Sequence, residues 1–315
     1  REALVNFAHA SYPKVRDVSV ELMKRAYGKT PDKMYFVGSS EGGREGLTMA
    51  QRYPNAFDGI FARVPVINWT LLQFGGMRNG AATFGDGWIR PPQVKLVHDA
   101  VLAACDAADG AADRIVSDAA GCRARFDVKK LQCAAGASGD ACLSEVQVKA
   151  VQTLHSPMRA PIALANGVTE YPGFPLGGED TTAFGPTGGW RAWWTGNATP
   201  TQPPGPNQAI AWTFGSGALS HFYMQQPSGD PRTLDMRAIQ ARVQDISALM
   251  DSTNPDLSAF QARGGKLILL ENMADYAQSP YAGINYHASV VQRMGKERVD
   301  SFFELYAAPG VDHVG

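Results

Sequence analysis

A G-x-S-x-G pentapeptide, residues 38–42, constrains the fold of this chain more than any other stretch. An apolar run precedes it, and residues 43–53 predict the helix that follows. A serine between a strand and a helix lies at the apex of a sharp, strained turn that exposes its side chain. Side chains at Gly38 or Gly42 are expected to crowd the strand against the helix. The alternative is a glycine-rich turn in which Ser40 has no special role.

Strands and helices alternate around this turn and again near the end of the chain. Apolar runs of strand length and apolar residues at helical spacing recur in both regions. They predict strands at residues 34–37, 59–64, 266–270 and 302–306, and helices at residues 11–27 and 282–293. Such alternation is typical of a parallel sheet whose strands are joined by helices. The sequence therefore predicts an α/β fold.

The alternation stops for about two hundred residues in the middle of the chain. We expect the first part of an α/β core over residues 1–66, an inserted lid domain over residues 67–264, and the second part of the core over residues 265–315. All six tryptophans lie in the insertion, at Trp69, Trp88, Trp190, Trp193, Trp194 and Trp212. Aromatic walls for a flat, apolar substrate would explain them. The alternative is that they form the core of the lid itself.

The four cysteines are close together in this insertion, at Cys105, Cys122, Cys133 and Cys142. An even number in one short stretch predicts two local disulfides, and sequence alone allows three pairings. Neither a C-x-x-C pair nor a histidine pattern suggests a zinc site. We therefore expect an oxidising compartment, with buried free thiols as the alternative.

Charge and hydropathy exclude two classes of partner. The 315 residues include 29 basic and 30 acidic side chains, so the formal net charge of −1 suggests neither nucleic acid nor an anionic membrane as a partner. No apolar run approaches the roughly 20 residues of a membrane helix. The chain begins with Arg1 rather than Met, so a leader is expected to have been removed or omitted.

A serine nucleophile needs a base, and the base needs an acid to orient it. Asp275 follows the predicted strand at residues 266–270, and His313 follows the last one. Ser40, Asp275 and His313 thus occur in the order typical of α/β-hydrolases, each at the carboxyl end of a strand. Asp312 and Glu271 are the alternative acids. The pattern predicts acyl transfer through Ser40, with His313 as base.

The helix after Ser40 is expected to contribute to the same chemistry. Its first backbone N–H groups point toward an oxygen that becomes negative during acyl transfer. The N–H of Glu41 is therefore expected to be one oxyanion donor.

Several stretches resemble the tannase / feruloyl esterase family, which also includes the hydrolase of mono(2-hydroxyethyl) terephthalate. The resemblance is strongest at residues 35–47, 50–54 and 57–60, and recurs at 105–110, 142–143, 274–275, 279–280 and 312–313. It covers essentially the whole chain. It implies an α/β-hydrolase core with a large inserted lid, secretion or periplasmic export, and cleavage of small esters of aromatic acids without an organic cofactor.

The same resemblance implies two features of the lid. It pairs Cys105 with Cys122 and Cys133 with Cys142. It also implies a structural Ca²⁺ site, with ligands from the acidic loop at Asp106, Asp109, Ala111, Asp113 and Ile115. Carboxylate and carbonyl oxygens suit this hard cation. Arg114 departs from the small residue usual there, and a solvated acidic turn is the alternative.

Two departures from the family pattern affect the expected site. Ser39 and Val314 stand where family members usually have two cysteines, whose disulfide ties the serine turn to the histidine loop. Family chains also extend before the position that corresponds to Arg1. The first strands of the core and the second oxyanion donor are therefore expected to be missing here. A serine peptidase of the same fold and an inactive, calcium-stabilised remnant are the alternatives to an active esterase.

Overall fold

The computed structural model describes residues 1–181 and 188–315, and its first part carries the serine turn. A short helix and one π-helical turn precede a long helix, two strands and the helix between them. These elements are α1 (Glu2–Val5), the turn Asn6–Ala10, α2 (Ser11–Tyr27), β1 (Tyr35–Ser39), α3 (Glu41–Arg52) and β2 (Gly59–Arg63).

The described residues in the middle of the chain are mainly helical, with a small antiparallel pair of strands among them. Its helices and strands are α4 (Trp69–Ala82), α5 (Pro91–Cys105), α6 (Ala119–Arg125), α7 (Glu145–His155), β3 (Met158–Arg159), β4 (Glu170–Tyr171), α8 (Trp190–Trp193), α9 (Ile210–Ala218), α10 (Gln240–Met250) and α11 (Ser258–Ala262). Short 3-10 turns lie at Gly85–Gly87, Asp106–Asp109, Val128–Leu131, Ala165–Gly167 and Pro231–Thr233, and a π-helix at Leu219–Met224.

The last part of the chain returns to the sheet through β5 (Lys266–Asn272), α12 (Pro280–Met294), α13 (Lys296–Asp300) and β6 (Phe303–Ala308). The four-stranded sheet has the order β1-β2-β5-β6, and all of its pairs are parallel. The carboxyl ends of the strands therefore meet at one edge, so the loops that follow β1, β5 and β6 can bring their side chains together. The predicted α/β fold is confirmed.

The element boundaries differ from the sequence-based ones by a few residues. The helix after the serine begins at Glu41 rather than residue 43, because Ser40 itself is the residue that precedes the helix. The third sheet strand continues past residue 270 to Asn272, because its last residues pair with the end of β6. Helix α12 begins at Pro280, whose fixed φ and missing N–H suit a first helical position.

Two hydrophobic clusters hold the described residues together. One lies between the sheet and its helices and includes Leu47, Ile60 and Leu267. The other fills the helical insertion and includes Trp190 and Trp194. Since apolar burial stabilises by about 25 cal/mol per Å² removed from water, each cluster is a substantial source of stability.

The structure links Cys105 to Cys122 and Cys133 to Cys142. The first bond ties the end of α5 to α6, and the second closes a short loop before α7. Both are therefore local braces within the insertion.

The glycines of the serine turn have different reasons to be glycine. A Cβ on Gly38 would lie 2.1 Å from the carbonyl oxygen of Gly42, so no side chain fits there. A Cβ on Gly42 would meet nothing within 4 Å, and the expectation of crowding at Gly42 is wrong. Gly43 is the crowded position instead, 2.7 Å from the carbonyl oxygen of Arg63, because this residue faces β2.

The outer side of the sheet is open at β1. Within the described residues β1 pairs with β2 alone, and Val37 on β1 is 74% exposed. Helix α2 also leaves apolar side chains exposed, at Val15, Val18 and Leu22. This side of the molecule thus combines an unpaired strand edge with an apolar surface.

The described residues contain no helix that is both long and apolar enough to span a membrane.

Candidate active site

Ser40 lies in a strained backbone conformation between β1 and α3. Its φ of 59° and ψ of −119° belong to a region that non-glycine residues rarely adopt. Its N–H donates to the carbonyl of Arg63 at 3.0 Å, and its own carbonyl accepts from Arg44 and Val66. These hydrogen bonds fix the turn from both sides, so the side chain projects beyond the strand end.

His313 lies between Ser40 and Asp275. Its Nε2 is 3.0 Å from Ser40 Oγ, and its Nδ1 is 2.7 Å from Asp275 Oδ2. Because an ionised carboxylate only accepts hydrogen bonds, we assign the imidazole proton to Nδ1. Nε2 then has a lone pair available for the proton of Ser40 Oγ. The geometry of the three groups matches that of a nucleophile, a base and an orienting acid.

Asp275 is held rigidly in the loop that follows β5. It is fully buried, and its Oδ1 accepts the N–H groups of Ala277 at 2.7 Å and Gln278 at 3.1 Å. The alternative acids have other hydrogen-bond partners: Asp312 Oδ1 accepts the N–H of Val314, and Glu271 Oε2 accepts from the Gln278 side chain. Of the three candidate acids, Asp275 is the one hydrogen-bonded to the imidazole.

The loop that carries His313 is tied to the loop that carries Asp275. The N–H of Ala274 donates to the carbonyl of Val311 at 3.0 Å, and Asn272 Nδ2 donates to the carbonyl of Asp312 at 2.5 Å. Because both hydrogen bonds reach the residues just before His313, they hold its loop against the loop of Asp275. The contact between these two loops could not be predicted from the sequence.

Helix α3 starts directly behind Ser40 and contributes the candidate oxyanion donor. Glu41 is its first residue, so its N–H lies at the helix N-terminus, where backbone donors have no intrahelical partner. The Glu41 side chain is paired with Arg44 at 2.5 Å. The guanidinium of Arg44 is fully buried and also donates to the carbonyls of Ala8 and Met250. This arginine thus joins the helix start to two other elements.

A cleft of about 210 Å³ lies over Ser40 and His313. Its lining is mostly apolar and aromatic, with a few polar side chains, and comes from seven separate parts of the chain. The lining residues are Phe7, Ser40, Glu41, Val66, Trp69, Leu72, Gln73, Trp193, Phe214, Ala277, Gln278 and His313. A pocket of this kind holds a flat, apolar group and orients it with few polar contacts.

Five of the six tryptophans of the insertion lie either at the cleft or in the buried interior. Trp69 and Trp193 line the cleft, and the Trp193 ring lies 6.0 Å from the imidazole of His313. Trp190, Trp194 and Trp212 are buried away from it in the insertion. The expectation of aromatic walls therefore fails for these three, because they pack into the hydrophobic interior of the helical middle part of the chain.

Sequence reasoning missed several residues of this cleft. Phe214 packs edge-on against Trp193, with ring centroids 6.0 Å apart, and Phe7 reaches the cleft from the N-terminal π-helical turn. Leu72 and Gln73 come from the first turns of α4. Nothing in their local sequence marks them, because their positions depend on how the insertion packs on the core.

The acidic loop expected to bind calcium is exposed and follows α5. Asp106 Oδ1 accepts the N–H groups of Asp113 and Arg114, and Asp109 Oδ1 accepts that of Ala111. The carboxylate and carbonyl oxygens of this loop are ligand types that suit a hard cation. Among the described residues, however, no three acidic, histidine or cysteine side chains are grouped to hold a metal ion. The loop thus fits calcium in donor chemistry but not in its present arrangement.

Comparison with known sequences gives matches along the whole chain. A family model described as tannase and feruloyl esterase matches residues 1–315. An uncharacterised esterase from Agrobacterium fabrum is 30% identical over 333 residues, which cover 100% of this chain and 57% of that protein. The mono(2-hydroxyethyl) terephthalate hydrolase of Piscinibacter sakaiensis is 30% identical over 364 residues, covering 99% and 57%. The chain thus spans little more than half the length of these relatives.

Comparison with solved structures finds proteins that share the fold of this chain. The crystal structure of feruloyl esterase B from Aspergillus oryzae superposes with a TM-score of 0.83 at 25% identity. The superposition covers 99% of this chain and 59% of that one. The tannin acyl hydrolase of Aspergillus niger, at a TM-score of 0.71 and 21% identity, shares the fold.

Proposed function

Because this chain belongs to the tannase and feruloyl esterase family, we propose that it is a serine carboxylic ester hydrolase acting on esters of aromatic acids. The observation that carries the proposal is the continuous hydrogen-bonded path from Ser40 Oγ through His313 to Asp275. An aromatic-lined cleft lies directly over this path.

The first half of the proposed reaction forms an acyl-enzyme. Ser40 Oγ attacks the ester carbonyl carbon while its proton passes to His313 Nε2, and Asp275 stabilises the imidazolium that results. The N–H of Glu41 donates to the oxyanion of the tetrahedral intermediate. When the intermediate collapses, the bond to the alkoxy oxygen breaks, and Nε2 returns its proton to the leaving alcohol.

The second half of the reaction releases the acid. A water molecule takes the place of the alcohol and gives its proton to His313 Nε2 as its oxygen attacks the acyl carbon. Collapse of the second tetrahedral intermediate breaks the bond to Ser40 Oγ, which recovers its proton from the imidazolium. The net reaction consumes one water and yields one acid and one alcohol.

The lining of the cleft favours a neutral acyl group. Trp69, Trp193 and Phe214 offer flat apolar surfaces that suit an aromatic ring. The described lining contains no lysine or arginine, and it carries the Glu41 carboxylate close to Ser40. A second carboxylate on the substrate would lack a cation there. We therefore propose phenolic acyl groups, such as feruloyl or galloyl, ahead of a terephthalate monoester.

The open side of the sheet bears on whether this chain acts alone. The relatives extend well beyond the matched part, and β1 leaves one edge and an apolar surface exposed. We propose that further strands cover this edge in a longer protein and supply the second oxyanion donor. A longer form should then hydrolyse esters much faster than the present chain, whereas equal rates would contradict this proposal.

The acidic loop and the disulfides support two further parts of the proposal. From donor types alone, we propose that Asp106, Asp109 and Asp113, with the carbonyl oxygens of Ala111 and Ile115, hold a structural Ca²⁺. This ion would brace the insertion and take no part in the ester chemistry.

Two disulfides in one region support secretion or periplasmic export.

A fluorophosphonate probe tests the nucleophile directly. We expect the parent chain and the control S39A to be labelled and S40A to remain unlabelled, because Ser39 is next in sequence but has no base. An unlabelled parent chain would support an inactive remnant.

A substrate panel then tests the reaction class. Methyl ferulate, methyl gallate and mono(2-hydroxyethyl) terephthalate are compared with a peptide amide. Turnover of the peptide amide in preference to the esters would instead support a serine peptidase.

A further inference from the structure

A second carboxyl group is buried next to the acid of the triad. Glu271 lies near the end of β5, four residues before Asp275, and its exposed fraction is 0%. Its Oε2 accepts from the side-chain nitrogen of Gln278 at 2.9 Å. Its Oε1 is buried and has no hydrogen-bond partner among the described residues. This carboxyl thus receives much less hydrogen bonding than Asp275.

Gln278 connects the two carboxyl groups. Its Nε2, which donates to Glu271, is also 3.4 Å from Asp275 Oδ2, the oxygen that contacts the imidazole. Its backbone N–H donates to Asp275 Oδ1 at 3.1 Å. Gln278 also lines the cleft beside Ser40. A displacement of this side chain would therefore change both the acid of the triad and the wall of the cleft.

The surroundings of Glu271 do not favour a negative charge. The ionisable groups that act on it are Asp275, from the loop that follows β5, and Tyr171 from β4. Helix α12 closes the remaining side with its backbone, since a Cβ on Gly283 would lie 1.8 Å from Glu271 Oε1. No cation pairs with Glu271 in the part of the chain that the structure describes.

Two carboxylates that share one site do not both ionise readily, and the less stabilised one keeps its proton. Asp275 has two backbone donors and the imidazole, whereas Glu271 has one amide and an unpartnered oxygen. Burial, with Asp275 as a further cause, raises the pKa of Glu271 well above its ordinary value. An unpaired buried carboxylate would also be much more costly than a neutral carboxyl.

We propose that Glu271 is a positioning residue that stays a neutral carboxylic acid at the pH of catalysis and holds the Gln278 carboxamide against Asp275. The negative charge opposite His313 is then carried by Asp275 alone. The positioning role rests on the proposed esterase function, whereas the neutral state of Glu271 is measurable without any turnover.

Infrared difference spectra test the neutral state. At pH 8, where ordinary carboxyl groups are ionised, we expect the spectrum of the parent chain minus that of E271Q to show a protonated carboxylic acid band. The control E304Q, which alters an exposed carboxyl on β6, should show the loss of a carboxylate band instead. A carboxylate band for Glu271 at pH 8 would overturn the proposal.

Labelling of Ser40 by the fluorophosphonate tests the positioning role. E271Q keeps an uncharged acceptor for Gln278, so its labelling rate should stay within about threefold of the parent rate. E271L removes the acceptor and should slow labelling by roughly 10- to 100-fold, because small displacements of catalytic groups have effects of that size. Equal rates for E271L and the parent, or a loss in E271Q as large as that in E271L, would overturn the role. If E271L does not fold, the labelling rate of E271Q and the infrared spectra still test the proposal. A parent chain that is not labelled at all defeats the proposed function, while the infrared result still stands.

Discussion

Arg63 Nη2 donates a hydrogen bond to the backbone carbonyl of His313 at 3.3 Å. Arg63 is the last residue of β2 and lies beside Ser39 of β1 in the sheet register. The loop of His313 is thus tied by a polar contact to the strand that pairs with β1. Ser39 and Val314, where the family usually has a disulfide, flank this contact.

We expect Ser39 and Val314 to lie close enough together for a disulfide between them. If Ser39 and Val314 occupy the cysteine positions of the family, their Cα atoms lie within the roughly 4.4–6.8 Å that a disulfide allows. The double variant S39C/V314C should then crosslink under oxidising conditions. Closing so long a loop predicts a stabilisation of about 6 kcal/mol by chain entropy, although engineered bonds often give less. A free-thiol count and the thermal midpoint measure both effects.

The control for this crosslink is the single variant S39C, which should show one free thiol. Two free thiols in the oxidised double variant would mean that the histidine loop is placed differently, and His313 would then lose its proposed role.

Asp275 should be far more important for turnover than Asp312. D275N replaces an acceptor with an amide that disfavours the Nδ1–H form of His313, so kcat should fall by about 10⁴-fold. D312N alters a carboxyl that caps the chain end and should change kcat by less than about threefold. Steady-state kinetics on one ester measure both variants. The reverse order of effects would assign the acid to Asp312.

Asp251 should make the fold less stable at neutral than at acidic pH. This buried carboxyl accepts from the N–H of Thr70 and from Ser247 Oγ, and burial raises its pKa to about 6. A carboxyl whose pKa is raised in the folded state stabilises the fold below pH 4, where it is protonated. This stabilisation is lost as the pH rises through 6. D251N should therefore be more stable than the parent at pH 8 by about 1–3 kcal/mol, and equal to it near pH 4.

Urea unfolding at several pH values measures this effect. The matched control is D245N on α10, the helix that ends just before Asp251. Arg1 lowers the pKa of Asp245, so its effect on stability has the opposite sign. D245N should lose stability at neutral pH and not at low pH. A D251N variant that is less stable than the parent at pH 8 would contradict the argument.

The buried Arg44 should be one of the most sensitive positions for stability. R44M leaves the Glu41 carboxylate and the carbonyls of Ala8 and Met250 without their donor, which should destabilise by about 3–5 kcal/mol. The control R25M removes an exposed ion pair with Glu21 and should leave the urea midpoint nearly unchanged. Similar midpoints for the two variants would show that Arg44 contributes no more than a surface pair.

Calcium should stabilise the insertion if the acidic loop binds it. Chelation should then lower the thermal midpoint, and D109A should abolish the difference between chelated and calcium-loaded protein. D99A, which alters an exposed carboxylate on α5, should keep the difference. Identical melting curves with and without chelator would count against a calcium site in this loop.

The sequence predicted those parts of the molecule that local patterns determine. The four strands and the turn at Ser40 have clear signals in apolar runs and glycines, and parallel pairing brings their carboxyl ends together. Crowding at Gly42 was a wrong prediction, because the direction of a Cβ depends on which face of α3 meets β2. Gly43 meets that strand, whereas Gly42 points into open space.

The cleft could be predicted only in its general character. Aromatic walls were expected from six tryptophans, yet two of them line the cleft beside Phe7 and Phe214. Such positions depend on packing between distant parts of the chain, which single-sequence patterns do not encode. Glu271 could be seen as an acid near the right strand, but its contact with Gln278 requires the fold.

The pairing of β2 with β5 affects how the chain folds. These strands lie side by side although roughly 200 residues separate them, and contacts of such long range form slowly. Most residues of one hydrophobic cluster lie in the insertion, so we expect the insertion to condense first and to bring its two ends together. Ser40 lies before the insertion and His313 after it. Reactivity at Ser40 should therefore appear only in the last folding step, so that it reports complete folding rather than partial collapse.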